Sequence, residues 1–122
     1  MKSVSLGTAF LAALLALPAF AADNAPVHKM NGMLVDSKGM TVYTFDKDSA
    51  GKSACSGQCA ENWPPVAAGD APLSAPYSSV TRDDGSKQLA YKGKPLYTFV
   101  KDKKAGDKAG DKVKDVWHTV TD

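Results

Sequence analysis

The sequence predicts an all-β fold: a small antiparallel sheet and hairpin domain of two tandem, pseudo-symmetric repeats, with a short helical or turn segment around a cysteine pair. Two observations carry this. Shifting the chain by 54 residues lays KGMTVYTFDKD, from Lys38, over KGKPLYTFVKD, from Lys92. Within each copy, short β-branched and aromatic runs are separated by Gly- and Asp-containing turn signals, the pattern of strands joined by tight turns.

The self-match extends beyond one segment. Lys38, Gly39, Tyr43, Thr44, Phe45, Lys47 and Asp48 fall on Lys92, Gly93, Tyr97, Thr98, Phe99, Lys101 and Asp102, and without a gap Trp63 falls on Trp117 and Val66 on Val120. Both tryptophans of the chain occupy one repeat position. Self-similarity at such a period marks a supersecondary unit used twice, here about 31–68 and 77–122 within a single domain spanning 22–122.

The first 21 residues have one Lys, an apolar stretch from Phe10 to Leu17 and a small-residue end at Ala19-Phe20-Ala21. That is the pattern of a secretory signal peptide cut near Ala21. Its apolar core is about half the ~20 residues a spanning helix needs, and no later segment is long and apolar enough. No Cys stands near the cut to carry a lipid. The expected destination is the periplasm or the medium.

In the first repeat, Met33-Leu34-Val35 leads into the turn Asp36–Gly39, and Met40 to Phe45 returns. Period-two alternation puts Tyr43 and Phe45 on one face, Val42 and Thr44 on the other. His28 is expected in a flexible N-terminal arm. In the second repeat, Tyr77 to Thr81 runs into Asp83-Asp84-Gly85, a strong hairpin signal, and Lys87 to Tyr91 follows. Lys92-Gly93 turns the chain into Lys94 to Phe99, with Pro95 near the strand start where its missing N–H is tolerated. A last strand, Val116 to Val120, carries Trp117. Ala67 to Pro76 is the expected linker. Lys101 to Lys114, rich in charge and Gly, is expected to be a mobile surface loop; its counterpart in the first repeat holds Cys55 and Cys59.

Without Lys2 the chain has 14 basic and 13 acidic side chains, interspersed along the sequence. That distribution argues against a nucleic-acid partner and against binding to anionic membranes. Two cysteines in an exported chain predict a disulfide. Closing so short a loop contributes about 2 kcal/mol, enough to steady a turn.

At the Tyr-Thr-Phe segments the chain resembles a bacterial family of predicted lipoproteins and secreted repeats of unknown function, with a Tyr-x-aromatic-x-x-Asp motif. That motif is Tyr43, Phe45 and Asp48, then Tyr97, Phe99 and Asp102. The resemblance extends to Cys55-x-x-x-Cys59-Ala60, Trp63-Pro64-Pro65, Thr81-Arg82-x-Asp84-Gly85, the run from Tyr91 to Tyr97, and Trp117-His118. It implies export and, in many relatives, a lipid anchor whose cysteine this chain lacks. It implies no catalytic residue.

The repeated Tyr and Phe are read as a hairpin core closed by Trp63 and Trp117, the alternative being an aromatic platform for a glycan or haem. Asp48 and Asp102 are read as turn-fixing carboxylates; a metal site or acid/base pair formed by pseudosymmetry is the sharper alternative. Asp46 to Gly51 begins like a calcium loop but has Ala50 and Gly57 where ligands belong. Asp107 and Asp111 are read as part of a solvated loop. Cys55 and Cys59 lack the two-residue spacing of a thioredoxin-like motif, and a redox or copper-binding thiol pair is the minor reading. His28, Met30, Met33, Met40 and His118 are weak metal candidates, of the imidazole and thioether type that copper accepts. No Ser, His and Asp arrangement predicts a nucleophile.

The function read from the sequence is a non-enzymatic binding or interaction module of the envelope, monomeric, with an unidentified envelope partner and no required cofactor. The alternative is a copper-type metal-binding or redox accessory protein. A hydrolase using Asp48 and Asp102 ranks last.

Overall fold

The computed structural model describes residues 25–121; the expected signal peptide and its cut lie outside them. β1 (Val27–Met30) and β2 (Met33–Asp36) form an antiparallel hairpin around Asn31-Gly32. Both turn residues have positive φ, 53° and 81°, which a two-residue hairpin requires and Asn-Gly adopts at little cost. The segment expected to be a flexible arm is therefore a strand. Only Val27 in it is a strong strand former, and pairing with β2 decides its state where propensity does not.

The chain next turns at Ser37–Gly39, held by Asp36, whose Oδ1 accepts the Lys38 and Met40 N–H groups at 2.9 Å each. Thr41 returns against Val35. β3 (Tyr43–Phe45) then leaves this hairpin and pairs with β7 (Trp117–Thr119) of the second repeat, Phe45 opposite Trp117. Between them in sequence, the Cys55–Cys59 disulfide precedes and enters the short helix α1 (Gln58–Asn62).

In the second repeat β4 (Tyr77–Thr81), β5 (Lys87–Tyr91) and β6 (Lys94–Pro95) make a three-stranded antiparallel sheet. First-repeat residues complete it: Pro65 bridges Tyr97, Ala67 bridges Gln88, and Leu89 N donates to Val66 O at 2.7 Å. The counterpart is Leu34 N donating to Val120 O at 2.9 Å. Each repeat's final segment thus closes the other repeat's hairpin. Tyr43 and Tyr97, one repeat position, exchange both backbone hydrogen bonds, at 2.8 and 2.9 Å. A pseudo-two-fold axis passes between them.

The shift of 54 holds from Lys38 onward, but Leu34 corresponds to Leu89, a shift of 55. The loop Ser37–Gly39 is one residue longer than its counterpart Lys92-Gly93, which absorbs the difference.

Two apolar clusters form the interior. Leu34, Val42, Leu89 and Leu96, all fully buried, centre the first, with Val27, Val66, Ala68, Tyr91 and Val120 around them. Burial of each large aliphatic side chain contributes roughly 1.5–3 kcal/mol. The second gathers Tyr43, Cys55, Trp63, Tyr97 and Trp117 around the axis, flanked by half-buried Phe45 and Phe99.

The stretch from Lys101 to Lys114 is folded, contrary to the expectation of a mobile loop. Asp107 Oδ2 accepts the Lys103 and Lys104 N–H groups at 2.8 and 3.1 Å, Asp102 Oδ1 accepts Ala109 N–H at 2.7 Å, and Asp111 Oδ1 accepts Thr119 N–H at 3.3 Å. Thr41 Oγ1 donates to Asp107 O at 2.6 Å. Charge composition hid three aspartates that supply acceptors to the local backbone. Gly110 is buried at its end, where a Cβ would lie 2.7 Å from Trp63 Cη2.

Candidate functional site

The repeat-motif side chains converge on the axis. Trp63 and Trp117 stack with centroids 3.7 Å apart and planes 2° apart. Phe45 lies on Trp117 at 4.2 Å and Phe99 on Trp63 at 3.9 Å. The result is a four-ring column in the order Phe45, Trp117, Trp63, Phe99. Alternation along β3 and β7 turns Phe45 and Trp117 to the same face as directly opposed partners.

Each motif carboxylate meets the tyrosine of the other repeat. Tyr43 Oη donates to Asp102 Oδ2 at 2.7 Å, and Tyr97 Oη donates to Asp48 Oδ2 at 2.7 Å. Both tyrosine side chains are fully buried. Burial first, and then the hydrogen bond to the carboxylate, raises the Tyr43 pKa well above its ordinary value. Burial likewise pushes Tyr97 up to about 12. Asp48 is raised by burial, against the lowering effects of the Ala54 N–H, the Tyr97 hydroxyl and the Arg82 charge. Asp48 and Asp102 do not form a joint pair; each is engaged separately, with a tyrosine and a backbone N–H.

The two exchanges have different surroundings. The Tyr43 hydroxyl is closed off by Gly110 N–H, 3.1 Å away. The Tyr97 hydroxyl instead meets Ser53 Oγ at 2.6 Å. With the tyrosine proton on the side of Asp48, Ser53 donates here and accepts from elsewhere. Ser53 Oγ accepts from Cys55 N–H at 3.2 Å and from Arg82 Nη1 at 3.1 Å; Nη1 also donates to Gln88 Oε1 at 2.7 Å, and Nη2 donates to Cys55 O at 2.6 Å. Gln88, fully buried, completes the chain by donating to Leu96 O at 2.8 Å. The Arg82 partners are all uncharged oxygens.

This polar chain ends in a recess of about 220 Å³ between the disulfide loop and the β4–β5 turn, lined by Lys52, Ser53, Ser56, Gly57, Arg82 and Asp83 among others. Asp84, also on its wall, accepts from Ser86 N–H and Oγ, and those bonds hold its carboxyl below the usual range. The carbonyl that accepts from the guanidinium belongs to Cys55, one half of the disulfide.

The remaining candidates are dispersed. His118 Nε2 lies 2.8 Å from Asp46 Oδ2 at the surface. His28 and Met30 are exposed on β1, Met33 is half-buried on β2, and Met40 is half-buried beyond the next turn. Asp46 faces His118 and Asp48 faces Tyr97, so the calcium-like run Asp46 to Gly51 divides between two sites. Among the described residues no group of three or more His, Cys, Asp or Glu is placed to hold a metal ion, and no helix is long and apolar enough to cross a membrane.

Sequence reasoning missed Arg82, Ser53 and Gln88 as a unit. Two signals were available: Arg82, within the Thr81-Arg82-x-Asp84-Gly85 segment of the resemblance, and Gln88, an amide beside Leu89 in a strand otherwise patterned for burial.

The model of a family described as a secreted repeat of unknown function matches residues 25–67 and again 78–121. No curated protein and no solved structure matches the chain. With two copies of the repeat covering most of its length, the chain belongs to this family of secreted repeats.

Proposed function

We propose that the protein is a non-enzymatic binding module of the cell envelope, working as a monomer after removal of its leader near Ala21, and that it takes a small ligand in the Arg82 recess. The observation that carries this reading is the asymmetry of the two Tyr–Asp exchanges. One is closed by the backbone of Gly110; the other continues through Ser53 to a guanidinium held at a recess. A pseudo-symmetric scaffold has no structural need for that difference, whereas a binding site does.

The chemistry favours a ligand with a carboxylate. Arginine presents N–H donors in a planar fork that carboxylates match. Lys52 and Arg82 are balanced on the walls by Asp83 and Asp84, which suits a ligand with a positive or hydroxyl group beside its carboxylate, such as a free amino acid. The fixed tyrosines, serine and glutamine preorganise Arg82 before the ligand arrives.

The test is an NMR titration with glycine, lysine and acetate, following Arg82 Nε–H and the Ser53 and Gly57 amides. Saturable shifts confined to these groups, lost in Arg82→Lys with thermal unfolding little changed, support the proposal. Absence of shifts at millimolar ligand, or shifts that survive Arg82→Lys, contradicts it.

A further inference from the structure

The β1–β2 hairpin places three metal-ligating side chains on one face. Met30 is directly opposite Met33, and directly opposed residues turn their side chains to the same side of a sheet, with Cβ atoms about 5 Å apart. His28 is two residues before Met30 on the same strand and shares that face. The other face carries Val27 and Leu34, both buried in the first apolar cluster. The face of His28, Met30 and Met33 also carries Val35, opposite His28 and buried, so this face is covered at its Val35 end and open toward the turn, where His28 and Met30 are exposed and Met33 is half-buried. Met30 is 45 % exposed, one of the few large apolar side chains in the described residues left open to solvent.

An apolar core does not account for Met30 there. Thioethers on three rotatable bonds adapt readily to a ligand, and the tight Asn31-Gly32 turn fixes the spacing of the two methionines. The donor set is neutral and soft: two sulfurs and an imidazole nitrogen. Calcium requires oxygen ligands, and structural zinc favours thiolates, imidazoles and carboxylates. Two thioethers and an imidazole suit a soft monovalent cation. His118 is excluded from the set by its place on β7, beside Asp46.

We infer that the tip of the first hairpin binds Cu(I) through the Met30 and Met33 sulfurs and one ring nitrogen of His28, giving the protein a copper-holding activity in the envelope. The site is separate from the Arg82 recess and stands without it. Its counterpart in the second repeat, the β4–β5 turn, has Arg82-Asp83-Asp84-Gly85-Ser86 and no soft ligand. The inferred activity belongs to one repeat only.

Silver(I) tests this without a reductant, so that the disulfide stays closed and no thiolate competes. The protein with Cys55 and Cys59 paired is titrated with Ag(I) while methionine methyl and histidine ring NMR signals are followed. The Met30 and Met33 methyls and the His28 ring should shift together and saturate at one equivalent, with Met40 unmoved. Met30→Leu with Met33→Leu keeps side-chain volume and should abolish this binding with an unchanged unfolding midpoint. Competition for Cu(I) against a chromophoric chelator, in Cys55→Ser with Cys59→Ser, should give one site that the same leucine pair removes. No saturable site, a site formed by other residues, or binding that survives the leucine pair overturns the inference.

Discussion

The indole of Trp63 lies flat on that of Trp117, 3.7 Å between centroids, and the two are one position of a unit used twice. Each tryptophan also covers the phenylalanine of the other repeat. The aromatic column is therefore made by association of the repeats, and neither copy alone contains a stacked pair of it. The same exchange governs the Tyr–Asp hydrogen bonds and the segments that close each hairpin.

Two parallel indoles in contact couple their electronic transitions, so the native protein should give a strong exciton couplet in circular dichroism. Trp63→Ala and Trp117→Ala should each abolish it and cost about 3–5 kcal/mol. A couplet that survives either single substitution would contradict the stack.

Alkaline pH tests the buried hydroxyls. Tyr97 has a folded pKa of about 12 against 10.0 for the free side chain, so the folded state holds this proton more tightly than the unfolded one. The stabilisation is complete below pH 10 and is lost as pH rises toward 12. Chemical unfolding midpoints should be flat with respect to this group up to pH 10 and fall beyond it, less steeply in Tyr97→Phe. Asp48, also raised, has the same sign at acid pH: its contribution is present below the ordinary Asp range and is lost as pH rises through its folded value.

Gly110 tests whether the charged segment 101–114 is folded. A Cβ there meets Trp63 Cζ3 at 2.8 Å and Phe99 Cδ2 at 3.0 Å besides Trp63 Cη2, so Gly110→Ala should destabilise by about 1–3 kcal/mol. Exposed Lys108→Ala, in the same segment, should stay within about 0.5 kcal/mol. Equal, negligible effects at both positions would restore the mobile-loop reading.

Removing the disulfide with Cys55→Ser and Cys59→Ser should cost about 2 kcal/mol for a loop this short. Because the Cys55 carbonyl holds Arg82 Nη2, the same variant should speed hydrogen exchange at the Arg82 guanidinium. Unaltered exchange would show that the disulfide does not position Arg82.

The repeat, most strands and the pairing of Tyr43 with Phe45 on one face were legible because turn residues and period-two alternation are local signals. The exchange between repeats was not, since a shared position does not say whether equivalent residues meet their own copy or the other. The β1 strand was missed because His28-Lys29-Met30 has weak propensity and takes its state from β2. The 101–114 segment was misread because Asp107 and Asp111 look like solvated charges until the backbone N–H groups they accept from are in view. Of the polar chain at the recess, Asp48 and Tyr97 stood out as repeat-motif residues and Arg82 only as part of the Thr81–Gly85 segment; Ser53, Arg82 and Gln88 become a unit through contacts 29, 6 and 44 positions apart.

The most direct test of the exchange is a double-mutant cycle on unfolding free energy, combining Tyr97→Phe with Asp48→Ala and, as control, Tyr43→Phe with Asp48→Ala. Hydrogen-bonded partners couple by about 0.5–3 kcal/mol, and independent sites add to within roughly 0.5 kcal/mol. The cross-repeat pair Tyr97 and Asp48 should show the larger coupling, and the same-repeat pair Tyr43 and Asp48 should be near additive. Additivity at Tyr97 and Asp48, or stronger coupling at Tyr43 and Asp48, would mean that each repeat closes on itself.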